Sequence, residues 1–370
     1  MQLIIRKFFI LLTILLFPLA LLSMQKEQVI VNTYKISPNI ENFDCHGSCI
    51  IEVSPGILCV AWNGGPGPGK SNIDMKQNVG IWLSHFKNGC WTDPKEIVHS
   101  PHSVCWTPVL TKNSKGELIL FYRMGNDPRH TISMFKTSDD GGINWSKEEI
   151  LPAGIIGPTR SKPLLDSEGN MICGSSTEVG NPEDMLKATA CWIEILSDGK
   201  WSKYGPIEIS GKKFGCIEPV LFWTKNEHLK MLCRDRSNRI GSQGWIWIAE
   251  SIDKGKRWSK LQKTDLPNPD SGFEILSLIN DSFLLIYNHS HTNRYPLSIA
   301  LSNNSGHSWE PLFNLEDDSG EFPSATLDSQ GNIHVSYAWT PPGKNQRQIK
   351  HVVLDTHKLM VQKQAEMDNK

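Results

Sequence analysis

Short apolar, β-rich runs alternate with polar turns along this chain, and six of them are alike: Gly56–Trp62, Glu117–Arg123, Asn170–Ser176, Glu227–Arg234, Asp281–Asn288 and Asn332–Trp339. Most follow a Gly, Asp or Asn turn, as strands leaving a hairpin do. Gly (29) and Pro (22) punctuate the whole sequence, so long continuous helices find no support. A second pattern runs in step with the first. Trp91, Trp145, Trp201, Trp258 and Trp309 each close a short polar, Gly-bearing turn, at intervals of 54, 56, 57 and 51 residues. A four-stranded unit of that size is too small to bury its own sheet face, and repetition around a centre solves the problem. The expectation is an all-β, six-bladed β-propeller with four-stranded antiparallel blades over residues 42–355. The extended stretch Gln28–Tyr34, within an N-terminal segment 24–41, is placed to pair with the last blade and remove two exposed edges. Residues 356–370 read as a polar tail.

The first 23 residues stand apart. Arg6 and Lys7 precede the apolar run Phe8–Leu22, which reads as a secretory signal. The run is shorter than the roughly 20 residues that span a bilayer comfortably. Secreted or periplasmic placement follows, with membrane contact only if the segment is retained. A net charge of −1, with 21% charged residues and no long basic block, argues against nucleic acid as the main ligand. Nine cysteines leave at least one unpaired, and Cys59, Cys173 and Cys233 sit in apolar runs as small buried hydrophobes do. No Cys-x-x-Cys pair accompanies Cys45, His46 and Cys49, so neither metal nor cofactor is expected, and the chain reads as a monomer.

The turns carry the sharpest motif. Ser138–Trp145 and Ser251–Trp258 both fit Ser-x-Asp-x-Gly-x-x-Trp, and Ser302–Trp309 fits with Asn304 for Asp. The short carboxyl or amide bonds backbone N–H groups, Gly supplies a permissive dihedral, and Trp folds back as a local core. Asn88–Trp91 and Asp198–Trp201 keep only the turn and the Trp, as worn copies would. These turns are expected on the outer rim, with a structural role.

These turns resemble the Asp-boxes of the sialidase (neuraminidase) superfamily, and the run of segments is similar to the bacterial sialidase-like group with BNR repeats. The resembling stretches are Cys45–Trp62, Asn78–Ser84, Ile156–Glu178, Ile217–Arg236, Asp265–Ser290 and Glu321–Leu354, most of the chain after the signal. The resemblance implies an arginine triad for a substrate carboxylate, an Asp acid/base, and a Tyr nucleophile paired with a Glu. A fixed carboxylate is well matched by a bidentate guanidinium. Glu218 in Cys216–Pro219 looks like the family Glu, Arg234 like the second triad arginine, and Arg294 is a weaker match to the third. The chain departs from the pattern twice. No arginine lies between Arg6 and Arg123, so the first blade supplies no triad member. His46 occupies that strand, and Arg123 and Arg160 are the candidate replacements from neighbouring blades. Where the nucleophile is expected the chain reads Glu321-Phe322-Pro323-Ser324, leaving Tyr287 or Tyr337 to enter the centre.

The acidic residues suggest what chemistry remains. Asp74 lies in the Gly-rich loop Gly64–Asn78, and Asp270 and Glu274 flank Ser271-Gly272. Glycosidic cleavage needs an acid for the leaving oxygen and an anion or activated water opposite it. Glu218 with Asp74, or Glu218 with Glu274, meets that need, with Glu218 as base or electrostatic group and Asp74 as acid. Arg160 and Lys162 add positive charge beside Arg234, while Trp62, Trp106 and His46 offer a stacking wall for pyranose faces. The leading expectation is a glycoside hydrolase-like protein acting on terminal sialic or uronic acids of glycans. The alternatives are a non-catalytic carbohydrate-binding propeller, and a polysaccharide lyase with His46 as base and Arg160 neutralising the carboxylate.

Overall fold

A computed structural model describes residues 26–27, 29–66, 78–127, 129–178, 189–211, 215–236 and 242–361. The apolar run Phe8–Leu22 and Asp74 lie outside them. Six antiparallel sheets follow one another as the blades of a β-propeller. The N-terminal strand β1 (Ile30–Ile36) is held back for the end of the ring. Blade 1 contains β2 (Phe43–Ser54), β3 (Ile57–Pro66), β4 (Gly80–Lys87) and an outer edge divided into β5 (Cys90–Trp91) and β6 (Lys95–Val98), both paired to β4. Blade 2 contains β7 (Cys105–Lys112), β8 (Leu118–Asp127), β9 (His130–Ser138) and β10 (Glu149–Ile150), and blade 3 contains β11 (Leu164–Leu165), β12 (Met171–Thr177), β13 (Ala190–Ser197) and β14 (Lys200–Tyr204). Blade 4 is β15 (Cys216–Trp223), β16 (Leu229–Asp235), β17 (Trp245–Ser251) and β18 (Gln262–Pro267). Blade 5 is β19 (Glu274–Ser277), β20 (Phe283–Asn288), β21 (Leu297–Ser302) and β22 (Glu310–Glu316). Blade 6 takes β23 (Glu321–Leu327), β24 (Asn332–Trp339) and β25 (Gln348–Asp355) from the end of the chain and β1 as its outer strand, with Ile36 opposite Ile349.

The six apolar runs are the second strands of the six blades. Each is covered on both faces, so residues of both faces are buried, polar ones such as Ser175, His334 and Ser336 included. Every residue of β16 and β20 is buried. The core is divided among the gaps between blades. Ile193 of blade 3 packs with Met231 and Ala249 of blade 4, and Phe222 of blade 4 with Phe283 and Tyr287 of blade 5. All nine cysteines are free, and all but Cys90 are buried in these gaps. Among the described residues no helix is long and apolar enough to cross a membrane.

Three of the tryptophan turns have the expected bonding. The Ser138 hydroxyl donates to Asp140 (2.8 Å) and accepts from the Gly142 N–H (2.8 Å), Asp140 accepts from the Asn144 N–H (2.9 Å), and the Trp145 indole donates to Gly142 O (3.1 Å). Ser251, Asp253, Gly255 and Trp258 repeat this set. With Asn304 the backbone bonds persist, but the buried Trp309 indole N–H has no partner among the described residues. The other two turns are a different device, not worn copies. Asn88-Gly89 and Asp198-Gly199 are two-residue hairpins with φ of 53° and 81°, and 49° and 74°. Left-handed dihedrals at both central residues match the twist of the flanking strands. The sixth blade has no such tryptophan because its outer strand arrives from β1 and needs no third-to-fourth turn. Five tryptophans therefore mark six blades.

Candidate functional site

The third-to-fourth turns share one end of the ring with the first-to-second hairpins: Lys254 in the Ser251–Trp258 turn contacts Glu168 at 2.6 Å. The candidate site lies at the other end, where first strands begin and second strands finish. A repeated backbone irregularity builds it. In β2, β7, β15 and β23 the pairing register breaks after His46, Trp106, Ile217 and Glu321, so that two residues oppose one on the second strand. The first of the two has positive φ in all four: Gly47 (58°), Thr107 (37°), Glu218 (53°) and Phe322 (54°). Bulges re-aim side chains, and a left-handed conformation at non-glycine residues marks positions that the surroundings over-determine. Proline follows three of the four, since an unpaired bulge position needs no N–H donor. Pro108, Pro219 and Pro323 were thus a readable signal for the inner rim.

Phe322 is the hub. Its ring lies 5.5 Å from the Arg160 guanidinium, 5.6 Å from that of Arg234, 4.9 Å from that of Arg294 and 4.4 Å from the His46 ring. Stacked guanidinium faces leave the N–H edges to make polar bonds. Arg234 donates to Glu218 Oε1 (2.7 Å) and to the Asp270 carbonyl, with Asp270 Oδ1 3.4 Å away. Arg294 donates to Glu321 Oε2 (2.7 Å) and Asp270 O (2.9 Å). Arg160 is different. It donates to the Pro323 carbonyl, and no carboxylate pairs with it among the described residues; its buried Nε, like that of Arg234, has no hydrogen-bond partner there. Gly272 makes room for it: a Cβ there would stand 2.3 Å from Arg160 Nε and 2.9 Å from Phe322 Cδ1. The second oxygen of Glu218 is likewise buried without a hydrogen-bond partner.

Electrostatics follow from burial and charge. Burial lowers the pKa of Arg160 and of Arg123, with acidic neighbours opposing. Burial would also lower that of Arg234, but Glu218, Asp270 and Glu178 raise it overall. His46 is driven down to about 3 by burial and then by Arg347, against Glu321. Its imidazole is therefore neutral at neutral pH. Burial alone would raise Glu321, yet its neighbours His46, Arg294 and Arg347 hold it well below the usual carboxylate range.

The other sequence candidates fall in separate places. Trp62 is fully buried in the gap beside Cys45 and Val60, opposite the Gly47 bulge, and presents no face to a sugar. Trp106 is half-buried and donates its indole N–H to Gly125 O (2.7 Å). Glu274 opens β19, where Lys162 bridges it (3.3 Å) to the Ser324 hydroxyl (2.9 Å). Asp270 joins the site as a holder of arginines, 3.7 Å from Arg236 Nε. Neither Tyr287 nor Tyr337 enters the centre. Both are fully buried, with hydroxyls bonded to His289 and to Glu316 (2.5 Å). Sequence reasoning missed the roles of Arg236, paired with Glu178, and of Arg347, which holds Asp44 and Glu321. A groove of about 770 Å³ lies elsewhere, between the N-terminal segment and blade 5, and no arginine lines it among the described residues.

The BNR repeat-like domain family matches residues 56–335. No curated protein matches the sequence. Among solved structures, a protein of unknown function from Dyadobacter fermentans DSM 18053 is similar at TM-score 0.72 and 18% identity, over 88% of this chain and 98% of that one. The NanB sialidase from Streptococcus pneumoniae gives 0.66 at 12% identity, over 89% of this chain and 71% of that one. Trypanosoma rangeli sialidase in complex with sialic acid gives 0.65 at 14% identity, over 92% of this chain and 60% of that one. At these identities the shared property is the fold.

Proposed function

The chain belongs to the BNR repeat-like domain family, and from that premise we propose that it binds a terminal acidic sugar of a glycan at the Phe322 hub and hydrolyses its glycosidic bond. One observation supports the reading above the rest: three guanidinium groups meet around Phe322, and that of Arg160 has no carboxylate partner among the described residues. A substrate carboxylate would supply the missing acceptors in a bidentate pair. Arg234 and Arg294, already neutralised by Glu218 and Glu321, would orient the anion more than attract it. Glu218 meets Arg234 rather than a phenol, so the attacking group in this reading is water. The free oxygen of Glu218 would accept a proton from that water and stabilise oxocarbenium-like charge. Asp74 is assigned the acid role on its sequence position, Asp270 the role of holding Arg234 and Arg236, and Arg123 a share in the positive field. The apolar run Phe8–Leu22, read as a secretory signal, supports an activity outside the cytoplasm.

A glycan panel analysed by mass spectrometry tests the proposal. Release of a sialic or uronic acid is expected, and Glu218→Gln should reduce turnover about 10²-fold or more, the scale of a lost general base. Turnover unchanged in that variant would remove Glu218 from the mechanism. A second reading has its own support. His46 lies 4.4 Å from the Phe322 ring with Arg160 and Arg294 around it, so a base at this position would stand next to a neutralised carboxylate. Products absorbing in the ultraviolet would favour that lyase reaction, and binding without any product would leave a carbohydrate-binding propeller.

A further inference from the structure

We propose that Arg347 is the positioning residue of this site, fixing the Phe322 hub and the His46 strand to each other across the seam between blade 6 and blade 1. The inference rests on the acidic-sugar reading given above.

Arg347 lies in the connection between β24 and β25. Its Nη2 and Nε reach the two oxygens of Asp44 at 2.5 and 3.1 Å, and its Nη1 reaches Glu321 Oε1 at 2.8 Å. The backbone locks the same pair: the Arg347 N–H donates to Asp44 Oδ1 (2.7 Å), and the Cys45 N–H donates to Arg347 O (3.0 Å). One residue therefore grips both inner strands at the point where the ring closes. Asp44 precedes Cys45 and His46, while Glu321 precedes Phe322. The grip extends further, because the other oxygen of Glu321 holds Arg294 at 2.7 Å, and Arg294 lies over Phe322. With its donors directed at Asp44 and Glu321, Arg347 acts through these neighbours rather than by touching a ligand. A lysine would bring one point charge and could not hold two carboxylates in fixed directions, whereas the planar fork can.

A seal that only closes the ring would leave the state of His46 and the affinity for an anion unchanged once folding is accounted for. A positioning residue alters both. The groups facing His46 are Glu321, Arg347, Arg294, Arg160 and the ring of Phe322. Removing the Arg347 charge should raise the titration midpoint of His46, since that charge disfavours the imidazolium.

The test combines histidine-labelled NMR titration with calorimetric binding of N-acetylneuraminic acid and glucuronic acid to the full chain. In Arg347→Gln the His46 midpoint should move up by one pH unit or more, and in Arg347→Lys affinity for the bound sugar should fall about tenfold. Because Arg347→Gln leaves Asp44 without its cation and Glu321 with Arg294 alone, the pair Asp44→Asn with Arg347→Gln serves if the single variant does not fold. Variants that melt earlier but keep the wild-type His46 midpoint and affinity would overturn the proposal and leave Arg347 as a seal. If wild-type protein binds neither sugar, the acidic-sugar reading fails, while the His46 midpoint still decides whether Arg347 sets the state of the site.

Discussion

At the turn end of the ring, the boxed Asp side chains bond groups of their own turns. Asp140 serves Ser138 and Asn144, and Asp253 serves Ser251 and Arg257, all within a few residues. At the other end, charged side chains bond partners from different blades. Arg234 of blade 4 reaches the Asp270 segment before blade 5, Arg160 of blade 3 reaches Pro323 of blade 6, and Arg347 of blade 6 reaches Asp44 of blade 1. One end is made of like turns held chiefly by local bonds, with single ties such as Lys254 to Glu168 between blades, and the other of unlike residues that hold one another across blades. The first kind of bonding tolerates loss one turn at a time. The second concentrates buried charge, where removing one partner strands another.

The largest break should come from Arg234→Met, which leaves the buried Glu218 and Asp270 without their shared cation. We expect a loss of about 3–5 kcal/mol in stability by denaturant titration, together with loss of acidic-sugar binding. Acidification should come next. His46 and His351 are both held down to about 3, His46 by burial and Arg347, His351 by burial and His334. Unfolded histidines titrate near 6.5, so between that pH and about 3 the unfolded chain binds more protons and stability falls as pH falls. The turn-end carboxylate Asp140 is held down to about 2, so its contribution survives until pH drops below the ordinary Asp range. Melting temperature should thus decline from about pH 6.5 downward, and the decline should lessen in His351→Gln. A flat profile to pH 4 would contradict the buried neutral imidazoles.

Smaller effects should mark the turn end. Asp253→Ala removes a cap-like acceptor and should cost about 1 kcal/mol, with sugar affinity unchanged. A large change in affinity there would show that the two ends are not independent. Smallest of all, Asn304→Asp should restore the carboxylate of the other two turns and stabilise by at most about 0.5 kcal/mol in thermal melts.

The same contrast explains what could be read from the sequence. The blades were legible because β3, β8, β12, β16, β20 and β24 are buried between neighbours and carry short β-rich, largely apolar runs. The two-residue hairpins at Asn88 and Asp198 passed for worn Asp-boxes, since a Gly followed by Trp does not reveal that both central residues are left-handed. At the site, Glu218, Arg234 and Arg294 were singled out by the family resemblance, and Arg160 by the positive charge it adds after Gly157-Pro158. Asp44, Glu321 and Arg347 were not. Their pairing joins residues near the two ends of the sequence, and no local pattern records it. Trp62 misled for a related reason: its burial is fixed by a bulge on the neighbouring strand, not by its own surroundings in sequence.

The strand that completes blade 6 sets an order of events. Ribosomes make β1 first and its partner β25 last, with Ile36 waiting for Ile349. Blades 2 to 5 have all four strands in hand once each has been synthesised, but the sixth cannot form until nearly the whole chain exists. That pairing spans most of the sequence and carries the loop-closure cost of a non-local contact. Arg347, one residue before β25, emerges just ahead of that closing strand. A nascent or shortened chain ending before it would hold five blades, an unpaired edge and half of a carboxylate clamp. Completion of the chain and assembly of the site would then be a single event.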